Sequence, residues 1–262
     1  MKNCRTIALC NQKGGVTKTT TTVSLGVGLA LHGKKVLLVD ADPQADLTTS
    51  LGWPDNDSLT ITLATLMQKI IHDDDFDYSG AILHHAEGVD LIPSSIELSG
   101  MEMNLINAMS REHILSNYLN RIKHAYDFIL IDCPPSLSML TINALAAADS
   151  IIVPVQAQYL PAKGMTQLMK TIAKVRRQIN PVLAISGILI TLVDARTNLA
   201  KATEETLRQQ YGSHLRIYET RIPVSVRAAE TSAAGQSIFS YDGGGKVAEA
   251  YLELAKVVIA NG

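Results

Sequence analysis

Apolar positions along the chain gather into short continuous runs, separated by longer amphipathic stretches. TIALCN (6–11), KVLLVD (35–40), VDLIPS (89–94), FILID (128–132), SIIVPVQ (150–156), AISGILIT (184–191) and LRIYETRIP (215–223) are apolar or β-branched runs of strand length. Between them, 18–31, 98–123, 138–148, 163–178, 198–211 and 246–259 carry helical periodicity. Strands that are apolar throughout are covered on both faces, which predicts an α/β fold with a mostly parallel twisted sheet and helices on either side. Ligands of such sheets bind beyond the carboxyl ends of the strands. PDNDSLT and HDDDFDYSG, within 54–80, are polar and aperiodic and predict a surface excursion with a short helix of its own. No internal repeat or low-complexity linker interrupts the pattern, so 1–262 reads as a single domain.

Composition agrees with one sizeable core, since 47% of the 262 residues are hydrophobic. The opening MKNCRTIALC reaches an apolar run at once, which leaves no signal or transit segment, and no apolar stretch approaches the roughly 20 residues of a membrane span. The expected location is cytoplasmic. Cys4, Cys10 and Cys133 form no CxxC pair and read as core thiols of a reducing compartment. The net charge of −2 is unevenly spread: residues 163–227 hold eleven Lys/Arg against four acids, a local +7 that leaves −9 for the remainder. Such polarisation offers a basic face to phosphate backbones of any sequence.

The chemistry concentrates where TIALCN runs into QKGGVTKTT and then a helix, the strand, loop and helix context of a phosphate-binding loop. Backbone N–H groups of Gly14, Gly15, Val16 and Thr17 converge on an anion in such a loop, and the helix N-terminus adds partial positive charge. Lys18 would neutralise β- and γ-phosphates, Thr19 would offer its hydroxyl to Mg²⁺, and Thr20 reaches an α-phosphate. The strict pattern GxxxxGK[ST] requires glycine at 12 and 17 and finds Gln12 and Thr17. Alternation of backbone handedness makes Thr17 left-handed, at a cost of about 1–3 kcal/mol for a β-branched residue. This predicts weaker binding or a slower cycle than a glycine would give. Downstream, KVLLVDADPQADL delivers Asp42 to a strand end, where it can position or deprotonate an attacking water, with Asp40 supporting Mg²⁺ or its waters. YDFILIDCPPSL delivers Asp132 in the same way, and Pro134 and Pro135 end that strand.

Lys13, Gly14, Gly15, Lys18 and Thr19 together resemble the deviant phosphate loop KGGxGK[ST] of the ParA/MinD family of ATPases. DADPQ and the strand ending in Asp132 resemble that family's second motif and Walker B carboxylate, and similarity to small, Soj-like ParA partition proteins extends over essentially the whole chain. The resemblance implies a P-loop NTPase fold with ATP and Mg²⁺ as cofactors and no N-terminal helix-turn-helix domain. It assigns catalytic roles to Lys13, which crosses a dimer interface in the family, and to Lys18 and Asp42. It places Pro223 among the nucleotide-binding residues, and Thr19, Asp40 and Asp132 at the metal. It further implies an ATP-dependent sandwich dimer, nonspecific DNA binding through Arg196, Lys201, Arg221 and Arg227, a ParB-like activator and nucleoid association. A MinD-like membrane anchor is not expected, because the tail LAKVVIANG has one lysine. Where small family members read EY(F/Y)ALEG this chain reads QYLPAKG, so Gln158 and Lys163 are departures. Two alternatives stay open: an ATP-gated DNA-binding or scaffold switch with vestigial hydrolysis, and a MinD-like positioning ATPase.

Overall fold

The computed structural model describes residues 4–74, 76–157, 162–194 and 196–261, with the backbone alone for Ala162 and Lys163. Gln158 and the Lys163 side chain therefore lie outside the described residues. Strands β1 (Arg5–Leu9), β2 (Val36–Asp40), β3 (Leu83–His84), β4 (Val89–Ile92), β5 (Phe128–Asp132), β6 (Ser150–Gln156), β7 (Ala184–Val193) and β8 (Ile217–Pro223) form one sheet in the order β3-β4-β2-β5-β1-β6-β7-β8. Every pairing is parallel except that of β3, which runs antiparallel to β4 at one edge. The fold class expected from continuous apolar runs is the one observed.

Side chains of each strand alternate between two cores. Ala8, Cys10, Leu37 and Val39 face one layer, formed by α3 (Leu63–Ile71), α4 (Leu98–Asn107), α5 (Ile114–Ile122), α6 (Met139–Ala147), α7 (Ala162–Gln178) and α8 (Asn198–Tyr211). Ile7, Leu9 and Leu38 face the other, formed by α1 (Lys18–Leu31), α2 (Asp46–Ser50), α9 (Val226–Ala234), α10 (Ile238–Asp242) and α11 (Lys246–Ala260). Central strands therefore lose water on both faces, at roughly 25 cal/mol per Å² of apolar surface buried. Cys10 and Cys133 are buried and Cys4 is partly buried, in keeping with core thiols.

The single helix expected over 98–123 is two helices, α4 and α5. The chain breaks at Ser110, whose φ of 49° is left-handed. Buried Asn143 of α6 holds the break: its Oδ1 accepts the Leu115 N–H at 3.1 Å and its Nδ2 donates to the Arg111 carbonyl at 2.8 Å. Both helices bury apolar residues in one core, so the periodicity runs on across the interruption. The polar 54–80 excursion is likewise less superficial than expected, because Leu63, Ala64, Leu66 and Met67 of α3 are buried. Among the described residues no helix is long and apolar enough to cross a membrane.

Replacing Asn143 with leucine removes the acceptor of the buried Leu115 N–H and the amide that donates to the Arg111 and Met139 carbonyls. The expected loss of unfolding free energy is about 1–3 kcal/mol, read from urea denaturation; an unchanged midpoint would show that the break does not depend on this side chain.

Candidate nucleotide site

At the end of β1 a side chain takes over from the sheet ladder. Asn11 donates from Nδ2 to the Pro154 carbonyl at 2.6 Å and accepts the Lys13 N–H on Oδ1 at 3.1 Å, which turns the chain away from the sheet. The loop then adopts the expected alternation, with left-handed Gly15 (φ 69°) and left-handed Thr17 (φ 67°) flanking Val16. Thr191 of β7 fixes its middle by donating to the Val16 carbonyl at 3.1 Å. A Cβ placed on Gly14 or Gly15 would meet nothing within 4 Å, so the loop encloses open space rather than packed side chains. Lys18 and Thr19 open α1 directly behind it, and Thr20 is partly exposed in the same turn.

The charge of Lys18 is not balanced inside this cradle. Lys18 is only 7% exposed, yet its ammonium reaches the Lys13 carbonyl at 3.4 Å and no carboxylate within ion-pairing distance among the described residues. Lys13 donates to Gln156 Oε1, at the end of β6, at 3.0 Å. The Gln12 side-chain oxygen is buried and accepts no hydrogen bond. A buried ammonium without an anion is costly, and a polyphosphate bound there would supply the missing charge.

The carboxylates come together because β5 lies between β2 and β1, with Asp132 in register with both Asp40 and Leu9. Asp132 is 1% exposed and accepts the Thr19 hydroxyl at 2.6 Å, with the Thr22 hydroxyl at 3.5 Å. Burial first, and then the neighbouring Asp40, push its pKa up to about 8, against the opposing effects of Thr19 and Lys18. Asp40 is fully buried and accepts the Thr48 N–H and hydroxyl on Oδ2, at 2.8 and 2.7 Å, and the Asp42 N–H on Oδ1 at 3.2 Å. Burial raises it to about 7. Both its oxygens are thus engaged, so Asp40 braces the turn that carries Asp42. Asp42 accepts the Gln44 N–H on Oδ1 at 3.0 Å, in a turn that ends at left-handed Ala45 before α2. Hard oxygen donors of the Thr19–Asp132 kind suit Mg²⁺, and two lysines beside an open nest of N–H groups suit a nucleotide polyphosphate; the residues fit both groups.

Other expected residues lie apart. Pro223 ends β8, at the same sheet edge but three strands from the loop. Arg196 pairs with Asp194 at 2.9 Å, Arg221 with Glu204 at 2.5 Å and Arg227 with Asp242 at 2.7 Å, while Lys201 is exposed on α8. Asn11, Thr22, Thr48, Gln156 and Thr191 take part in the site without belonging to any quoted motif as functional residues. Asn11, Gln156 and Thr191 share one signal, a polar residue at the end of an apolar run, which Thr22 and Thr48 lack.

A family model described as AAA domain matches residues 4–185. The chain is 44% identical over 260 residues to the sporulation initiation inhibitor protein Soj of Bacillus subtilis, covering 98% of each chain. It belongs to the ParA/MinD family of P-loop ATPases. The family member named chromosome partitioning protein ParA from Caulobacter vibrioides (strain NA1000 / CB15N) is 39% identical, with 98% of this chain and 94% of that one covered. Among solved structures, one titled cobyrinic acid a,c-diamide synthase from Mycobacterium smegmatis, with bound ADP and magnesium, is 36% identical, with a TM-score of 0.86 over 98% of this chain and 94% of that one. MinD from Pyrococcus horikoshii complexed with Mg-ADP is 26% identical, with a TM-score of 0.76 over 98% and 96% of the two chains.

Raised carboxyl pKa values have a definite sign in stability. Folded Asp132 and Asp40 hold protons that the unfolded chain has released above its value of 3.8, so the native state is favoured at low pH and loses that advantage as pH rises to about 7 and 8. The ligand-free melting temperature is therefore expected to fall between about pH 5 and pH 8, and Asp132→Asn to flatten the fall and raise the melting temperature at the alkaline end. Parallel curves for the two proteins would contradict the assignment.

Proposed function

We propose that this chain is an ATP-binding and ATP-hydrolysing partition ATPase that forms a nucleotide-dependent sandwich dimer, binds DNA without sequence preference and is stimulated by a ParB-like partner. The observation that carries the reading is the buried Lys18 ammonium, without a carboxylate partner, behind an open left-handed loop and beside the Thr19–Asp132 pair. Lys18 would hold the β- and γ-phosphates and Thr19 with Asp132 would hold Mg²⁺, which when bound supplies positive charge to the phosphates. Asp42 orients the attacking water and accepts its proton. Lys13 must leave Gln156 before it can reach the nucleotide of a second copy, so dimer formation breaks that hydrogen bond.

Charge distribution bears on where DNA binds. Arg196, Arg221 and Arg227 spend charge on internal carboxylates. On α7, by contrast, Lys170, Lys174, Arg176 and Arg177 are all exposed, and the sequence holds no acidic residue between Asp149 and Asp194. Lys170, Lys174 and Arg177 also line one shallow concave surface along the helix. Phosphate contacts from such a stripe give salt-sensitive binding without sequence choice. The left-handed Thr17 supports a slow cycle, the feature shared with the switch reading in which hydrolysis is vestigial.

Two measurements test this function. Steady-state ATP hydrolysis is expected to be slow and to fall about 100-fold in Lys18→Ala and Asp42→Ala; unaltered turnover in either variant would contradict its assigned role, and no turnover in the unmodified chain would favour the switch. ATP-dependent retention of duplex DNA is expected to disappear when Lys170, Lys174 and Arg177 are changed together to glutamate, with DNA-independent hydrolysis preserved. Full retention in that variant would exclude α7.

A further inference from the structure

The backbone at Thr17 sets a problem that the loop alone does not solve. Its φ of 67° and ψ of 29° are left-handed, and in that conformation its hydroxyl makes no capping bond to α1 although it stands at the N-cap position. A β-branched residue there persists only when surrounding structure holds it. The hydroxyl instead lies 3.4 Å from Thr21 Oγ1, one turn along α1, and Thr21 Oγ1 lies 3.0 Å from the phenol oxygen of Tyr251. Thr21 and Tyr251 are both fully buried.

The third member of this chain of hydroxyls comes from the far end of the sequence. Tyr251 sits in α11, packed among Leu25, Leu29, Val247 and Leu254 in a core that a phenylalanine ring would fill equally well. Its hydroxyl therefore adds nothing to the apolar packing and serves the polar line that leads to the loop. The helices approach closely because α1 carries Gly28 where they cross: a Cβ there would meet Ala255 Cβ at 3.3 Å and the Tyr251 carbonyl at 3.5 Å. A glycine at position 17 would adopt the same backbone unaided and would offer no hydroxyl to the line.

From this we infer that Tyr251 is a positioning residue for the nucleotide: through Thr21 it holds Thr17 left-handed, and so keeps the loop's N–H groups and Lys18 aimed at the phosphates. The C-terminal helix thereby sets nucleotide affinity without touching the ligand. The inference rests on the nucleotide reading of the loop.

The test is a double-mutant cycle over the unmodified chain, Tyr251→Phe, Thr17→Gly and the combination. Two quantities are read for each: affinity for a fluorescent ATP analogue with Mg²⁺, and ligand-free melting temperature. Tyr251→Phe is expected to weaken analogue binding about 5-fold when Thr17 is present and to change it less than about 2-fold in the Thr17→Gly chain. Equal losses in both backgrounds, or a lowered melting temperature in both with affinity unchanged, would overturn the inference and leave Tyr251 a packing residue. Failure of the unmodified chain to bind the analogue would overturn the nucleotide site itself, and the inference with it.

Discussion

A lysine ammonium taken out of water, with no carboxylate in ion-pairing contact among the described residues, is the constraint around which this molecule is arranged. Lys18 is held there by its place in the first turn of α1; it lowers the pKa of both Asp46 and Asp132, yet burial still raises Asp132 to about 8. Neither Lys18 nor Asp132 is fully satisfied by the other. Such a pair is poor material for stability and good material for a site, because a phosphate-bearing, metal-bearing ligand satisfies both at once.

Sheet topology makes the arrangement possible. Parallel order β2-β5-β1-β6 sends four strand ends to one edge, and these deliver Asp40, Asp132, the loop and Gln156 as neighbours, although they are far apart in sequence. Thr48, Thr191 and Asn11 then fasten the irregular backbone beyond the strands. Backbone strain at Thr17 is tolerated in the same way, by hydroxyls on α1 and α11. The site is thus fastened at the strand ends by Asn11 and Thr191 and from one helical layer by α1, α2 and α11.

Much of this is legible in the sequence because it is local. Continuous apolar runs name the strands, glycines and lysines at fixed spacing name the loop, and alternation of handedness around Gly15 predicts the observed left-handed Thr17. What is not legible depends on distant partners. The break at Ser110 is held by Asn143 of a later helix. Arg221 reads as a free cation until β8 is seen beside α8, where Glu204 meets it. The helix α9 buries only Thr231, so no apolar stripe announces it, and α2 and α10 are too short to show a period. Asp40 and Asp132 look equivalent as strand-end carboxylates, and only the structure separates the one occupied by Thr48 from the one that faces Thr19.

The buried Lys18 ammonium and the protonated Asp132 carboxyl beside Thr19 are together suited to a magnesium–nucleotide pair. Calorimetric titration of the chain with a non-hydrolysable ATP analogue and Mg²⁺, repeated in buffers of different ionisation enthalpy, tests it most directly. Saturable binding of one nucleotide per chain is expected, with proton release as the Asp132 carboxyl is deprotonated and loss of binding in Lys18→Met. Binding that survives Lys18→Met, or the absence of saturable heat in the unmodified chain, would contradict it.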